Sequence, residues 1–221
     1  MTQHPRGVGM TPGDNSQNLS GHSRSLANKQ WDSSNQEARR QNAKRAANLP
    51  QRHVEAVGTI TPPVAWKKVL ATLTEKLGSG FLVGLIGGRG TGKTQAAVEL
   101  MLQQIDDNKL ARYAKAMDLF IDLRSSYSSD ATEKSIVNTY VAASLLVVDD
   151  VHQRGNSAWE DRVLAHIIDR RYDEKLDTLL ISNETPVTFK ASMGVTIIDR
   201  MQQCGGLIVC DWPSLRAKAA K

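Results

Sequence analysis

The apolar residues of this chain fall into two patterns. Short unbroken runs occupy residues 81–86 (FLVGLI), 145–148 (LLVV), 178–182 (TLLIS) and 206–210 (GLIVC). Runs of this length suit strands buried on both faces of a parallel sheet. Between them, apolar residues recur every three or four positions, the spacing of one face of a helix. Trp66, Val69, Leu70, Leu73 and Leu77 repeat in this way up to Gly78, after Thr61 as an expected N-cap and Pro62 as the first helical residue. Helices are expected over 95–105, 117–124, 132–142, 158–172 and 194–203, with Trp159, Val163, Ile167 and Tyr172 facing inward on the long one. A further strand is expected over 112–116. Strand and helix alternate from residue 81 onward, which predicts an α/β fold: a parallel sheet with helices on both faces.

The first 48 residues break this pattern. Residues 1–30 are rich in Ser, Asn, Gln and Gly and read as disordered. Ser34-Asn35-Gln36-Glu37 fits a capping box, and 38–47 is strong helix material almost without large apolar side chains, ended by Pro50. Such a helix is either solvated or made for a partner. The division expected is an arm over 1–48 and one α/β domain over 49–221, with the arm adding little to the domain's stability. Charge sharpens the division. Of the formal net charge of +5, the first 50 residues carry +4, from seven basic and three acidic residues. A basic arm on a near-neutral domain points to an anionic partner, or serves solubility alone.

The run 81–86 leads into Gly87-Gly88-Arg89-Gly90-Thr91-Gly92-Lys93-Thr94, which fits the phosphate-loop pattern G-x-x-x-x-G-K-[ST]. The chemistry needs these residues. Glycines let backbone N–H groups converge on an anion, and the N-terminus of the following helix adds its positive end. Lys93 is expected to reach the β- and γ-phosphates of ATP, and the Thr94 hydroxyl to hold Mg²⁺. The run 145–148 ends in Asp149-Asp150, where open parallel sheets bind ligands. Asp149 is placed to bind Mg²⁺ through water. Asp150 stands where many ATPases carry a glutamate that orients the attacking water, and its side chain is one methylene shorter. The strand 178–182 ends in Asn183, a polar tip that either hydrogen-bonds the γ-phosphate or the attacking water, or starts the turn Asn183-Glu184-Thr185-Pro186.

The order of phosphate loop, LLVVDD, LLISNETP and Gly194-Val195-Thr196-Ile197-Ile198-Asp199-Arg200-Met201 resembles the AAA+ ATPases of the DnaC/IstB group. The tail GLIVCDWPSLR over 206–216 is more similar to the DnaC-type helicase loaders than to the IstB transposition ATPases. The resemblance covers about residues 49–216. It implies a P-loop AAA+ domain in which Lys93 and Thr94 are the Walker-A pair, Asp149 and Asp150 the Walker-B pair and Asn183 sensor 1. It further implies that Arg200 is an arginine finger acting on ATP bound to a neighbouring subunit, and that Arg216 is the sensor-2 arginine. A guanidinium at the γ-phosphate stabilises transition-state charge and is worth about 10³ to 10⁵ in rate. The sequence leaves little room for a helical lid after Arg216.

The function implied is an ATPase that loads a hexameric replicative helicase onto single-stranded DNA, with slow, DNA-modulated turnover, assembled as a spiral and working in a bacterial or phage-infected cytoplasm. The basic arm, Trp31 to Ala47, is the expected grip on the helicase. Lys109, Arg112, Lys115, Arg124 and Lys134 are candidate DNA contacts or solvated surface. Two alternatives stay open: an IstB-like ATPase that delivers duplex DNA to a transposase, and an ATP-gated adaptor with negligible turnover. No apolar run approaches the roughly 18 residues of a membrane span, and no signal-peptide pattern is present. Cys204 and Cys210 form no C-x-x-C and have no histidine nearby, so buried free thiols are expected rather than a zinc site.

Overall fold

The computed structural model describes residues 35–126, 132–155 and 157–216. The chain divides after Arg39, and the larger unit begins at Arg40. Residues 35–46 are helical (α1), followed by α2 (Gln51–Glu55), α3 (Val64–Glu75), β1 (Leu82–Gly87), α4 (Lys93–Asp106), β2 (Ala111–Lys115) and α5 (Ala116–Ser125). Then come α6 (Glu133–Val141), β3 (Leu145–Asp149), a 3₁₀ turn (Val151–Gln153), α7 (Ala158–Asp173), β4 (Asp177–Ser182), α8 (Pro186–Cys204) and β5 (Gly206–Cys210). The five strands form one sheet in the order β2-β3-β4-β1-β5, and every pairing is parallel.

Residue parity along the strands builds two cores. Leu82 and Ile86 of β1, Leu146 and Val148 of β3 and Leu180 of β4 point to one face, where α5, α6, α7 and α8 cover them. Val83 and Leu85, Leu145 and Val147, Leu179 and Ile181 point to the other face, under α3 and α4. Alternate residues of a strand face opposite ways, so a run apolar at every position needs cover on both sides. Gly84 stands at a close approach: a Cβ there would lie 2.5 Å from Leu207 Cδ2 and 3.1 Å from the Phe189 ring.

Two buried polar residues pin the lower ends of the strands. Asp177 accepts hydrogen bonds from the backbone N–H groups of Gly78, Gly80 and Phe81, which fixes the entry to β1. Arg171 is wholly buried. It donates to the carbonyls of Tyr140, Val141, Ala143 and Asp177 and to Thr178 Oγ1. Burial lowers its pKa to about 10.

Three expectations are corrected. α3 begins at Val64 with Pro63 as N-cap, not at Pro62, because a residue before proline is held out of the α region. α8 begins at Pro186, eight residues before the expected start. Thr185 caps it by accepting from Thr188 N–H, and Gly194 (φ 77°, ψ 161°) breaks it internally. Phe189, Met193, Ile197 and Met201 keep a single buried stripe across that break. Third, the stretch up to residue 48 is not wholly peripheral. Ala47 is fully buried, and Ala43 and Leu49 pack on the α3–α4 face. Arg40 pairs with Asp106, the Arg112 guanidinium donates to Ala46 O, and Tyr113 N–H donates to Ala47 O. α1 runs to residue 46, Asn48 follows it in the left-handed region (φ 56°), and Pro50 N-caps α2. Small alanines allow a close approach that a count of large apolar residues does not register. Residues 1–34, including Trp31 and Ser34 of the capping box, lie outside the described residues.

Candidate nucleotide-binding site

The loop between β1 and α4 wraps the N-terminus of α4. Gly87, Gly90 and Gly92 all take positive φ (135°, 83° and 84°), which side chains rarely adopt. The loop is clasped from outside. Trp66 Nε1 donates to Gly92 O at 2.9 Å, Trp212 Nε1 to Thr91 O at 2.8 Å, and Leu215 N–H to Gly90 O at 2.7 Å. A Cβ on Gly92 would stand 2.6 Å from Leu215 Cδ1 and 2.8 Å from Trp66 Nε1. The Trp66 indole and the Leu215 side chain therefore need glycine beneath them.

Lys93 leads α4 and turns back into the loop. Its Nζ donates to Gly87 O and Gly88 O, both at 2.8 Å, and to Asn183 Oδ1 at 2.9 Å. Burial pushes this ammonium below its ordinary pKa, and the nearby Asp149 and Asp150 pull it back up. β3 lies two strands from β1, with β4 between them, so its C-terminal carboxylates face the loop. Thr94 Oγ1 donates to Asp149 Oδ2 at 2.8 Å, Tyr113 OH donates to the same oxygen at 2.9 Å, and Asp150 N–H donates to Asp149 Oδ1 at 2.8 Å. Burial raises the Asp149 carboxyl above its usual range, and the Thr94 hydrogen bond opposes the shift. The Tyr113 phenol is pushed up by burial first and by Asp149 second, and so stays a donor. Asp150 sits in the left-handed region (φ 51°), and its Oδ1 accepts from Asn183 Nδ2 at 3.2 Å. Asn183, at the tip of β4, thus bridges the lysine and the second carboxylate.

These groups border a cleft of about 770 Å³ that also takes in Arg52, His53, Ile60, Lys115 and Arg216. The volume suits a nucleotide. A lysine at the head of a helix, beside a loop whose Gly88 side is open space, fits phosphate. Two hard oxygens, Thr94 Oγ1 and Asp149 Oδ2, lie side by side and suit Mg²⁺. On the far side, His53 Nδ1 lies 3.0 Å from Gln95 Oε1, and Gln95 Nε2 donates to His53 O, tying α2 to α4 along the cleft wall.

Of the residues singled out in the sequence, the loop 87–94, Asp149, Asp150, Asn183 and Arg216 meet around this cleft. Arg200 does not. It lies on α8, where its guanidinium stands 3.2 Å from Asp169 Oδ1 and 5.4 Å from the centre of the Tyr172 ring. Among the candidate DNA contacts, Arg112 sits over Tyr140 and Arg124 pairs with Glu160, while Lys109, Lys115 and Lys134 are exposed. Both cysteines are free thiols, Cys210 buried but Cys204 only half-buried. Cys210 lies behind the phosphate loop, where burial raises its pKa to about 11. Among the described residues no cluster of His, Cys, Asp and Glu suits a metal, and no helix is long and apolar enough to cross a membrane.

Tyr113 and Trp212 carry no site role in the sequence reading, and Trp66 figures there only in the apolar stripe of its helix. The signal for Tyr113 was strand parity. It pairs with Val147, two residues before Asp149 and on the same face, and its long phenol spans the diagonal to the carboxylate. Reading that signal required knowing that β2 lies beside β3. For Trp212 the signal was the DWPSLR tail, whose indole the local pattern could not aim.

Comparison with known proteins finds relatives of this chain. The replicative helicase loader DnaC of Buchnera aphidicola subsp. Baizongia pistaciae is 27% identical over 169 residues, which is 75% of this chain and 68% of that protein. DnaC of Escherichia coli K12 is 24% identical over 134 residues, 60% of this chain and 55% of that protein. The chain thus spans between about half and two thirds of these relatives. Among solved structures, a DnaC helicase loader superposes with a TM-score of 0.63 at 19% identity, covering 72% of this chain and 99% of that one. The replication initiator DnaA bound to AMPPCP and single-stranded DNA superposes with a TM-score of 0.57 at 21% identity, covering 64% and 44%. These likenesses place the fold among P-loop AAA+ domains. The model of the IstB-like ATP binding proteins matches residues 30–219, from α1 through the tail that clasps the phosphate loop, and the chain belongs to that family.

Proposed function

We propose that this protein is an ATP-dependent loader of a hexameric replicative DNA helicase onto single-stranded DNA. One observation carries the reading: Lys93, Asn183 and Asp150 form a continuous hydrogen-bonded chain beside the Thr94–Asp149 pair. Such a chain supports a reading in which the site senses and hydrolyses a γ-phosphate. Lys93 would exchange its carbonyl acceptors for the β- and γ-phosphates of bound ATP. Thr94 and Asp149 hold Mg²⁺, Asp150 orients the attacking water, and Asn183 links that carboxylate to the phosphate. Arg216 reaches the phosphates from the tail. Arg200, outside its own cleft, acts on the nucleotide of a neighbour in a spiral assembly. ATP favours the DNA-bound assembly and turnover releases it, while the basic arm grips the helicase in the cytoplasm. The relatives named as helicase loaders support this reading.

The family's IstB name supports a second reading, an ATPase that delivers duplex DNA to a transposase. DNA binding measured with single-stranded and duplex oligonucleotides, in ATP and in ADP and with the replicative helicase of the host present, tests both. The loader reading expects ATP-favoured, salt-sensitive binding to single strands and capture of helicase, both lost in Lys93→Ala. A preference for duplex with no helicase captured moves the assignment to the second reading. Indifference to ATP removes both.

A further inference from the structure

Asp149 is held by three donors, and one of them belongs to neither nucleotide motif. Tyr113 lies on β2, the edge strand beside β3, and is 5% exposed. Its hydroxyl donates to Asp149 Oδ2, the oxygen that Thr94 also contacts. Its backbone is fixed from the other side: its N–H donates to Ala47 O at 2.8 Å, and Asn48 Nδ2 donates to its carbonyl at 3.5 Å. The ring cannot slide along the strand without breaking this joint. A hydroxyl delivered to a carboxylate oxygen from a fixed backbone sets which way that carboxylate faces.

We propose that Tyr113 is a positioning residue for the divalent cation, holding the Asp149 carboxylate in the orientation that receives hydrated Mg²⁺. The proposal rests on the reading of Asp149 as the carboxylate that receives the cation. When Mg²⁺ takes a lone pair of Thr94 Oγ1, that hydroxyl keeps its proton for Asp149, and the Tyr113 hydroxyl is the second side-chain donor, whose own oxygen no cation claims. The hydrogen bond also has a plainer explanation, since a buried phenol needs an acceptor and Asp149 is the one within reach. On that account the ring packs and the cation is indifferent to it. The two accounts differ in a measurable linkage, because partners behind a metal ligand set metal affinity, whereas packing does not.

The test is Mg²⁺ titration of the full-length protein with a fluorescent ATP analogue, comparing wild type with Tyr113→Phe. Phenylalanine keeps the ring and removes the donor. The expected result is unchanged nucleotide affinity in EDTA, within twofold, and a rise of about tenfold in the Mg²⁺ concentration that gives half of the metal-dependent tightening. An unchanged Mg²⁺ midpoint, or an equal loss of affinity with and without Mg²⁺, overturns the proposal. Tyr113→Leu, which trims the ring as well, should lower the melting temperature further and show the same Mg²⁺ shift. A shift that scales with lost stability instead indicates packing. Asp149→Asn separates the two levels of the argument. If it keeps a normal Mg²⁺ midpoint, the reading of Asp149 fails. If it loses Mg²⁺ dependence while Tyr113→Phe does not, only the role of Tyr113 fails.

Discussion

Arg200 shows how a single residue divides its allegiance. In the isolated chain its guanidinium is held by Asp169 and the face of Tyr172, and its Nε is buried without a hydrogen-bond partner. A buried donor left unpaired is costly, so this resting position is not the best one the group can find. Acting on a neighbour's γ-phosphate would give it a full set of acceptors. Arg200→Ala should therefore bind ATP normally but hydrolyse it poorly, by about 10³-fold if it acts as a finger. Mixing Arg200→Ala with Lys93→Ala should restore part of the steady-state ATPase rate, since some interfaces then pair an intact loop with an intact finger. If the two variants co-assemble and the mixture stays inactive, the trans role is wrong.

The element scale is governed by how strand ends are secured. Arg171, near the C-terminal end of α7, ties the end of α6, the entry to β3 and the start of β4 through its fork of donors. No neutral side chain could satisfy four carbonyls at once. Arg171→Met keeps much of the volume but leaves these acceptors buried without donors, each costing about 1–3 kcal/mol. The expected loss is about 3–5 kcal/mol in urea unfolding. A loss below about 1 kcal/mol would mean that water replaces the guanidinium and that the network does not hold β4 in place. β4 also delivers Asn183, so a surviving variant should show weakened nucleotide binding as well. At this scale the site is only as firm as the strands that present it.

For the whole molecule, the question is where the ATPase unit begins. Residues 40–48 contribute the buried Ala47, the Arg40–Asp106 pair and the bonds onto Arg112 and Tyr113. Protein truncated to 40–221 should melt higher than protein truncated to 49–221, by about 5 °C, given that 1 kcal/mol moves a domain of this size by about 2–4 °C. Equal melting temperatures would place these residues outside the cooperative unit. The shorter form should also need more Mg²⁺ for tight nucleotide binding, because it loses the joint that fixes Tyr113.

The chain by itself determined the strands, the phosphate loop, the two carboxylates and Asn183. Each of these is a local matter: an apolar run, a glycine spacing, a polar residue at a strand end. Parity then specified the two-sided cores. What only the tertiary structure decided concerns partners distant in sequence. Tyr113 reaches Asp149 because β2 lies beside β3, and no local pattern states strand order. Trp66 and Trp212 meet on one loop from opposite ends of the domain. The end of α1 joins the core through alanines, because close approach rewards small side chains that hydrophobicity undervalues. Local sequence encodes dihedral preference and burial, whereas the orientation of a hydroxyl or an indole depends on the packing of segments far apart along the chain.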